Sequence, residues 1–436
     1  MMGRSEDKDA IWYPYSSAEN LAGGDDVLPQ IVRAQGIWLW DAQDRGYMDL
    51  IASWWVNLHG HGHPRLLAAL QEQSQRLGHI ALAGATHEGA RRLAARLIDA
   101  LGGDFSRVFF SDNGSTAVEV ALKLAWQYWR QRGKKRKRFI AFKGNYHGDT
   151  LAAMSVGFSC GFYEPFADMV LPTDFVPFAA TWHGDNQDAD KQARALRALD
   201  EQLERGGDDI AAVIIEPLVQ GAGGMRMSSV AFLQAVMERL REHGTLVIFD
   251  EVLTGFYRTG KLFACDYVTH KPDMVCLAKG LTGGMMPLAA TVVGAKVTQA
   301  FDGRSGAERF MHGHTYTAHP LGCAVAHASL DLLQEPTTQA RITSIEALHA
   351  TWLRRLAHHP RVHRCRQRGV IAAFDYGADK SYHEGIVDGM RRRCIDAGLW
   401  LRPLGSTMYM LPPYCISDDE LNEAWLRLQN VLEEFA

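Results

Sequence analysis

The chain has no uncharged apolar stretch of the roughly 18 residues that a membrane-spanning helix needs, so no membrane partner is expected. It also has no C-x-x-C pair. Its seven cysteines (Cys160, Cys265, Cys276, Cys323, Cys365, Cys394, Cys415) are odd in number and scattered, which argues against a disulfide framework and against structural zinc. Net charge is scarce: 46 basic side chains against 50 acidic ones give −4, so there is no general pull towards nucleic acid or anionic lipid. The one basic run, Lys134-Lys135-Arg136-Lys137-Arg138, abuts the apolar Phe139 to Phe142 and reads as a solvated helix end and turn before a strand. Residues Met1 to Asp9 lack an apolar signal region, and no internal repeat or low-complexity tract appears; a cytoplasmic enzyme is the expectation.

What is present is an ordinary globular composition, 47% hydrophobic and 22% charged, in a chain of 436 residues. That length exceeds one ordinary core and predicts two domains. Gly36 to Asp41 and Tyr47 to Leu50 read as short strands around an Asp-Arg-Gly turn. From about residue 64 helical patterns (Pro64 to Leu77, Glu88 to Leu101, Ala117 to Trp129) alternate with short apolar runs at Val108 to Phe110, Phe139 to Phe142, Val213 to Ile215, Leu246 to Phe249 and Met274 to Leu277. That alternation predicts an α/β fold with a mostly parallel sheet covered on both faces. Helices at Ile345 to Leu356 and His383 to Gly398, with strands near Val370 to Phe374 and Met408 to Leu411, predict a smaller α+β unit. The expected division is residues 61–334 for a large domain and 1–60 with 335–436 for a small one.

Asp250 ends the apolar run Leu246 to Phe249, and Lys279 follows the run Met274 to Leu277 and precedes Gly280. Carboxyl ends of strands in an open α/β sheet face the ligand crevice. A lysine there, with its pKa lowered, suits an amine that condenses with an aldehyde. Taken alone, a strand-end Asp such as Asp250 is more often a helix N-cap or turn residue, and a Lys before Gly such as Lys279 a solvated helix end; it is the pair in this setting that points to the crevice. Ser111-Asp112-Asn113-Gly114-Ser115-Thr116 lies between a strand and a helix. The amides of Gly114, Ser115 and Thr116, with two hydroxyls, suit a phosphate dianion, and a plain N-cap is the alternative. Tyr146, in Asn145-Tyr146-His147-Gly148-Asp149-Thr150, offers a face for a planar heterocycle.

Three further patterns point elsewhere and are set aside. His59-Gly60-His61-Gly62-His63 has no carboxylate or cysteine beside it, so no metal is expected. Gly221-Ala222-Gly223-Gly224 lacks the last glycine of a dinucleotide loop, because Arg226 stands there. Asp250 and Glu251 are adjacent in an extended run and so point to opposite faces, unlike a hydrolase pair.

Phe249-Asp250-Glu251-Val252 with Lys279, the Ser111 to Thr116 segment, Tyr146-His147-Gly148 and Glu216-Pro217 together resemble the class III aminotransferases that depend on pyridoxal 5′-phosphate (PLP), of fold type I. The resemblance runs from about residue 11 to 430. It is carried further by Trp12-Tyr13-Pro14-Tyr15, Ser53-Trp54-Trp55, Gln220 to Met227, Gly255-Phe256, Arg258 to Cys265, Met311-His312-Gly313 and Arg402-Pro403. One departure is His314, where the family commonly has Pro before the threonine matched by Thr315.

The resemblance implies a fold-type-I architecture whose large domain holds a mostly parallel seven-stranded sheet. It implies that Lys279 binds PLP covalently and moves the proton, that Asp250 pairs with the pyridine nitrogen, and that Tyr146 lies on the ring face. Gly114 and Ser115 would hold the phosphate. Thr315 would reach the phosphate of a neighbouring subunit, which implies a homodimer with shared sites. Within the family the chain looks most like members whose acceptor is 8-amino-7-oxononanoate and whose donor is mostly S-adenosylmethionine, in some cases lysine, in biotin biosynthesis. For those substrates Tyr15, Trp54 and Trp55 would supply an aromatic wall, Tyr146, Lys279 and Gly313 further contacts, and Arg402 a partner for the acceptor's far carboxylate. Arg258 would meet a donor carboxylate or bind backbone. The alternatives are a class III enzyme for ω-amino acids or ornithine, and a PLP-binding module without catalysis, which would need no lysine at position 279.

Overall fold

The computed structural model describes residues 11–15, 29–303, 306–377 and 386–434. Its centre is a seven-stranded sheet built from β4 (Phe105–Ser111), β5 (Arg138–Phe142), β6 (Thr173–Val176), β7 (Ile210–Ile215), β10 (Leu246–Asp250), β11 (Met274–Leu277) and β12 (Ala289–Gly294), in the order β4-β12-β11-β10-β7-β5-β6. Pairing is parallel along β11-β10-β7-β5-β6, and β12 alone runs against its two neighbours. The central strands are buried along their whole length, which is why they read as continuous apolar runs. Along β10, Val247 and Phe249 join one apolar cluster and Leu246 and Ile248 the other, so the sheet is covered on both faces.

Each end of the chain feeds a second sheet. β1 (Ile31–Gln35), β2 (Trp38–Asp41) and β3 (Gly46–Asp49) are joined by β15 (Leu399–Trp400), with Leu399 opposite Met48. β13 (Val362–Arg368), β14 (Ile371–Tyr376) and β16 (Thr407–Met410) form a third sheet, and β8 (Val219–Gln220) with β9 (Arg226–Met227) a small hairpin.

Helix ends follow local chemistry. The Gly114–Gln131 helix starts at Asn113, whose side chain accepts from Thr116 N while Thr116 answers to Asn113 N. The Val230–His243 helix is capped by Ser229 and closed by Gly244 in the left-handed region. The helix expected from His383 is described as Ile386–Asp396, its first three expected residues lying outside the described residues; the one expected from Ile345 begins at Pro336. The basic run requires a correction. The preceding helix stops at Gln131 and Arg138 already belongs to β5, while Arg136 is buried, stacked 3.8 Å from the Trp129 ring and donating to Ile210 O. Burying its planar group against an indole outweighs solvation.

Arg258 ties the sheets together. It is buried, and its guanidinium donates to the carbonyls of Trp55 and Asn57 near β3, and of Leu411 and Pro412 after β16. Of the two readings of this residue, backbone binding is the one found. Arg258→Met would leave those carbonyls without their donor and should cost at least about 1–3 kcal/mol. Urea unfolding of the purified protein should register that as a clearly lowered midpoint; a midpoint equal to the parent's would contradict the assignment.

Candidate active site

The strands β4, β5, β7, β10 and β11 all point the same way, so their carboxyl ends share one edge of the sheet. Each end delivers a polar residue to that edge: Gly114 and Ser115 after β4, Tyr146 after β5, Glu216 after β7, Asp250 at the end of β10 and Lys279 after β11. All of these line one cavity of about 680 Å³, within the range of small-molecule sites.

Lys279 has φ +43, a value rare for a residue with a side chain. Its Nζ lies 4.3 Å from the centre of the Trp55 ring. Burial lowers its pKa to about 8 against the opposing pull of Asp250 and Glu216. Asp250 is buried and receives His147 Nδ1 at 2.7 Å and the amide of Val252 at 3.0 Å. Asn145, with its amide turned to satisfy its neighbours, donates to Phe142 O at 2.7 Å and meets His147 Nε2 at 2.5 Å. Glu216 accepts from the amides of Tyr146 (2.8 Å) and Gly221 (2.9 Å), and burial raises its pKa to about 7.

The set of groups open to a phosphate at this helix start is narrower than the sequence implies. Thr116 N is taken by the Asn113 cap, and the Thr116 hydroxyl is engaged with Asn113 and Asp112. The helix start therefore offers the amides of Gly114 and Ser115, and N-cap and cradle coexist. Gly114 admits no side chain, since a Cβ would lie 2.7 Å from Val252 Cγ1. Two orphan amides at a helix start, a buried carboxylate and a cavity-facing lysine match the three ends of PLP: phosphate, ring nitrogen and aldehyde.

The aromatic wall divides. Ala52, Ser53 and Trp55 have φ of 50, 63 and 68, which turns the two tryptophans apart. Trp55 is buried beside Lys279 and donates to Tyr409 OH, while Trp54 is exposed, 4.5 Å from the Arg402 guanidinium. Tyr15 packs edge-on to Trp54. Its hydroxyl donates to Asp149, as do those of Tyr146 and Tyr163, at 3.0–3.1 Å. Gly313 and Thr315 are exposed and do not line the cavity; their neighbour His314 pairs with Asp112, which does, at 3.1 Å.

The family described as aminotransferase class III matches residues 21–432. The chain belongs to the class III aminotransferases. It is an aminotransferase that uses PLP. Adenosylmethionine-8-amino-7-oxononanoate aminotransferase of Synechococcus elongatus is 46% identical over 97% of this chain and 98% of that one. The enzyme of the same name from Geobacter sulfurreducens is 39% identical, covering 96% and 94%. Among solved structures, an amine transaminase from an uncultivated Pseudomonas species in its PLP-bound form superposes with TM-score 0.92 at 29% identity, covering 98% and 99%. Adenosylmethionine-8-amino-7-oxononanoate aminotransferase of Methanocaldococcus jannaschii gives 0.90 at 30%, covering 98% and 97%.

Some residues of this aminotransferase site escaped the sequence reading as site residues. His147 and Asp149 flank Tyr146 in a segment already singled out, and Glu216 ends a buried strand as Asp250 does; both signals were available. The histidine cluster instead goes to separate partners: His59 to Ser329, His61 to Asp49, and His63 to the start of the Pro64–Arg76 helix. Glu251 turns away from the cavity to the amides of Ala264 and Cys265.

An amine with pKa near 8 becomes neutral, and so nucleophilic, as pH rises through 8. In protein freed of PLP, Lys279 should therefore be half-reactive towards an amine-modifying reagent near pH 8, whereas surface lysines follow about 10.4. Residue-resolved mass spectrometry over a pH series measures this, and a Lys279 midpoint near 10.4 would refute the lowered value.

Proposed function

We propose that the chain transfers an amino group from S-adenosylmethionine to 8-amino-7-oxononanoate, giving 7,8-diaminononanoate in biotin biosynthesis, as a cytoplasmic homodimer. The observation that carries this reading is the cavity in which Lys279, Asp250 and the Gly114–Ser115 amides meet, beside the cluster of Arg402, Trp54, Tyr15 and Asp149. Relatives whose names state these substrates cover nearly the whole chain.

Bound PLP supplies an electron sink and carries the amino group from donor to acceptor. With PLP bound, Lys279 Nζ would be the amine that holds it and, when free, the base placed to take the proton from the donor Cα. Asp250, oriented by His147 and Asn145, would pair with the ring nitrogen and favour its protonated form. Gly114 and Ser115 would donate their amides to the phosphate, and Tyr146 would cover a ring face. The acceptor has a carboxylate at the far end of an apolar chain; Trp54 and Tyr15 give that chain a wall and Arg402 meets the carboxylate. Asp149, ringed by phenols, suits the cationic donor. Thr315 is assigned to a partner subunit's phosphate, supported by its exposure beside exposed Met311 and Tyr316.

Steady-state assays with the keto acid acceptor should give turnover with S-adenosylmethionine. Turnover with lysine alone would replace the donor, and turnover only with ω-amino acids or ornithine would overturn the substrate reading. A charged hydrogen bond to a carboxylate contributes about 1.5–3 kcal/mol, so Arg402→Ala should weaken acceptor use about tenfold to a hundredfold. With the two half-reactions followed separately by cofactor absorbance, the donor half should suffer less than the acceptor half. No loss in either would remove Arg402 from the site.

A further inference from the structure

Direction can be assigned to every hydrogen bond where the Tyr146 loop meets the phosphate helix. Thr150 Oγ1 lies 2.6 Å from Glu119 Oε1, a carboxylate oxygen that only accepts, so the threonine proton goes there. Ser115 Oγ lies 2.7 Å from Thr150 Oγ1 and accepts the Thr150 amide at 3.1 Å. Thr150 has no second proton, so Ser115 must donate to it. The Ser115 hydroxyl proton is thereby committed within the protein, and what Ser115 offers a phosphate is its amide. Gly148 confirms how close the two elements come: with φ +119, a Cβ there would sit 2.2 Å from Ser115 Oγ. Glu119 also accepts from the amides of Ala152 and Ala153, at 2.7 and 3.0 Å.

We propose that Glu119 is a positioning residue of the cofactor site, acting through Thr150 and Ser115 to hold the ring-facing Tyr146 loop in register with the phosphate-facing amides of Gly114 and Ser115. This rests on the reading of those segments as the two ends of the PLP site. The chain Ser115 to Thr150 to Glu119 ends on a charge, which strengthens each donor in turn. A ligand that touches both segments is sensitive to their register; one that touches only the loop is much less so.

The test measures dissociation constants of PLP and of pyridoxal, which lacks the phosphate, for the full chain freed of cofactor. Thr150→Val keeps the amide and the helix cap while deleting the relay hydroxyl. It should weaken PLP at least tenfold and pyridoxal by threefold or less, and Thr150→Ser should stay within about threefold of the parent for both. Glu119→Ala should match or exceed the Thr150→Val loss, and the double variant should bind no more weakly than Glu119→Ala, because both break one chain. If Glu119→Ala does not fold, the Val and Ser variants at 150 decide alone. PLP binding by Thr150→Val within twofold of the parent, or equal losses for PLP and pyridoxal, would overturn the proposal. A parent chain that does not bind PLP would instead sink the reading on which it rests.

Discussion

The parallel pairing of β10 with β11 is the constraint on which the site depends. Phe249 lies opposite Val275 and Asp250 opposite Cys276, so a carboxylate and, three residues beyond Cys276, an amine leave adjacent buried strands at one edge. Gly114, Ser115, Tyr146 and Glu216 are brought to that edge by the same geometry, because β4, β5 and β7 run in the same direction. A shift of one residue in the β10–β11 register would turn Asp250 to the opposite face. The cost of gathering charge in an apolar edge is met locally. Asp250 has His147, Glu216 has two amides, and the Lys279 amine sits over an indole with its pKa lowered.

Backbone strain also reaches this region. Lys279, Ala52, Ser53 and Trp55 all take positive φ. Asp49, fully buried, accepts both the amide and the hydroxyl of Ser53 and also His61, holding the 52–55 turn that sends one tryptophan inward and the other out. Arg258 locks that turn to the segment after β16 through the Trp55 carbonyl. The wall near Lys279 and the cluster at Arg402 are thus set by one strained turn.

Much of this was legible in the sequence because burial writes itself into composition. β7, β10 and β11 are wholly buried and therefore appear as apolar runs, and the residue that follows each run is the one that lines the cavity. β6 and β12 were missed. β6, Thr-Asp-Phe-Val, is a half-buried edge strand, and β12 opens with two alanines that a helix would accept as readily. The divergence of Trp54 and Trp55 was illegible because it follows from φ values, and the loss of Thr116 from the cradle because a capping residue and an anion compete for the same amides. Arg136 was misread since a charge run shows its sign and not which member finds an indole.

Assignment of the PLP-holding amine to Lys279 can be read out on a single residue by borohydride reduction. Reduction of the PLP-loaded protein, followed by digestion and mass spectrometry, converts the covalent link into a stable pyridoxyl mark on one lysine. The expected result is loss of the visible absorbance band and a mark on the peptide containing Lys279. A mark on any other lysine, or none while the band persists, would contradict it.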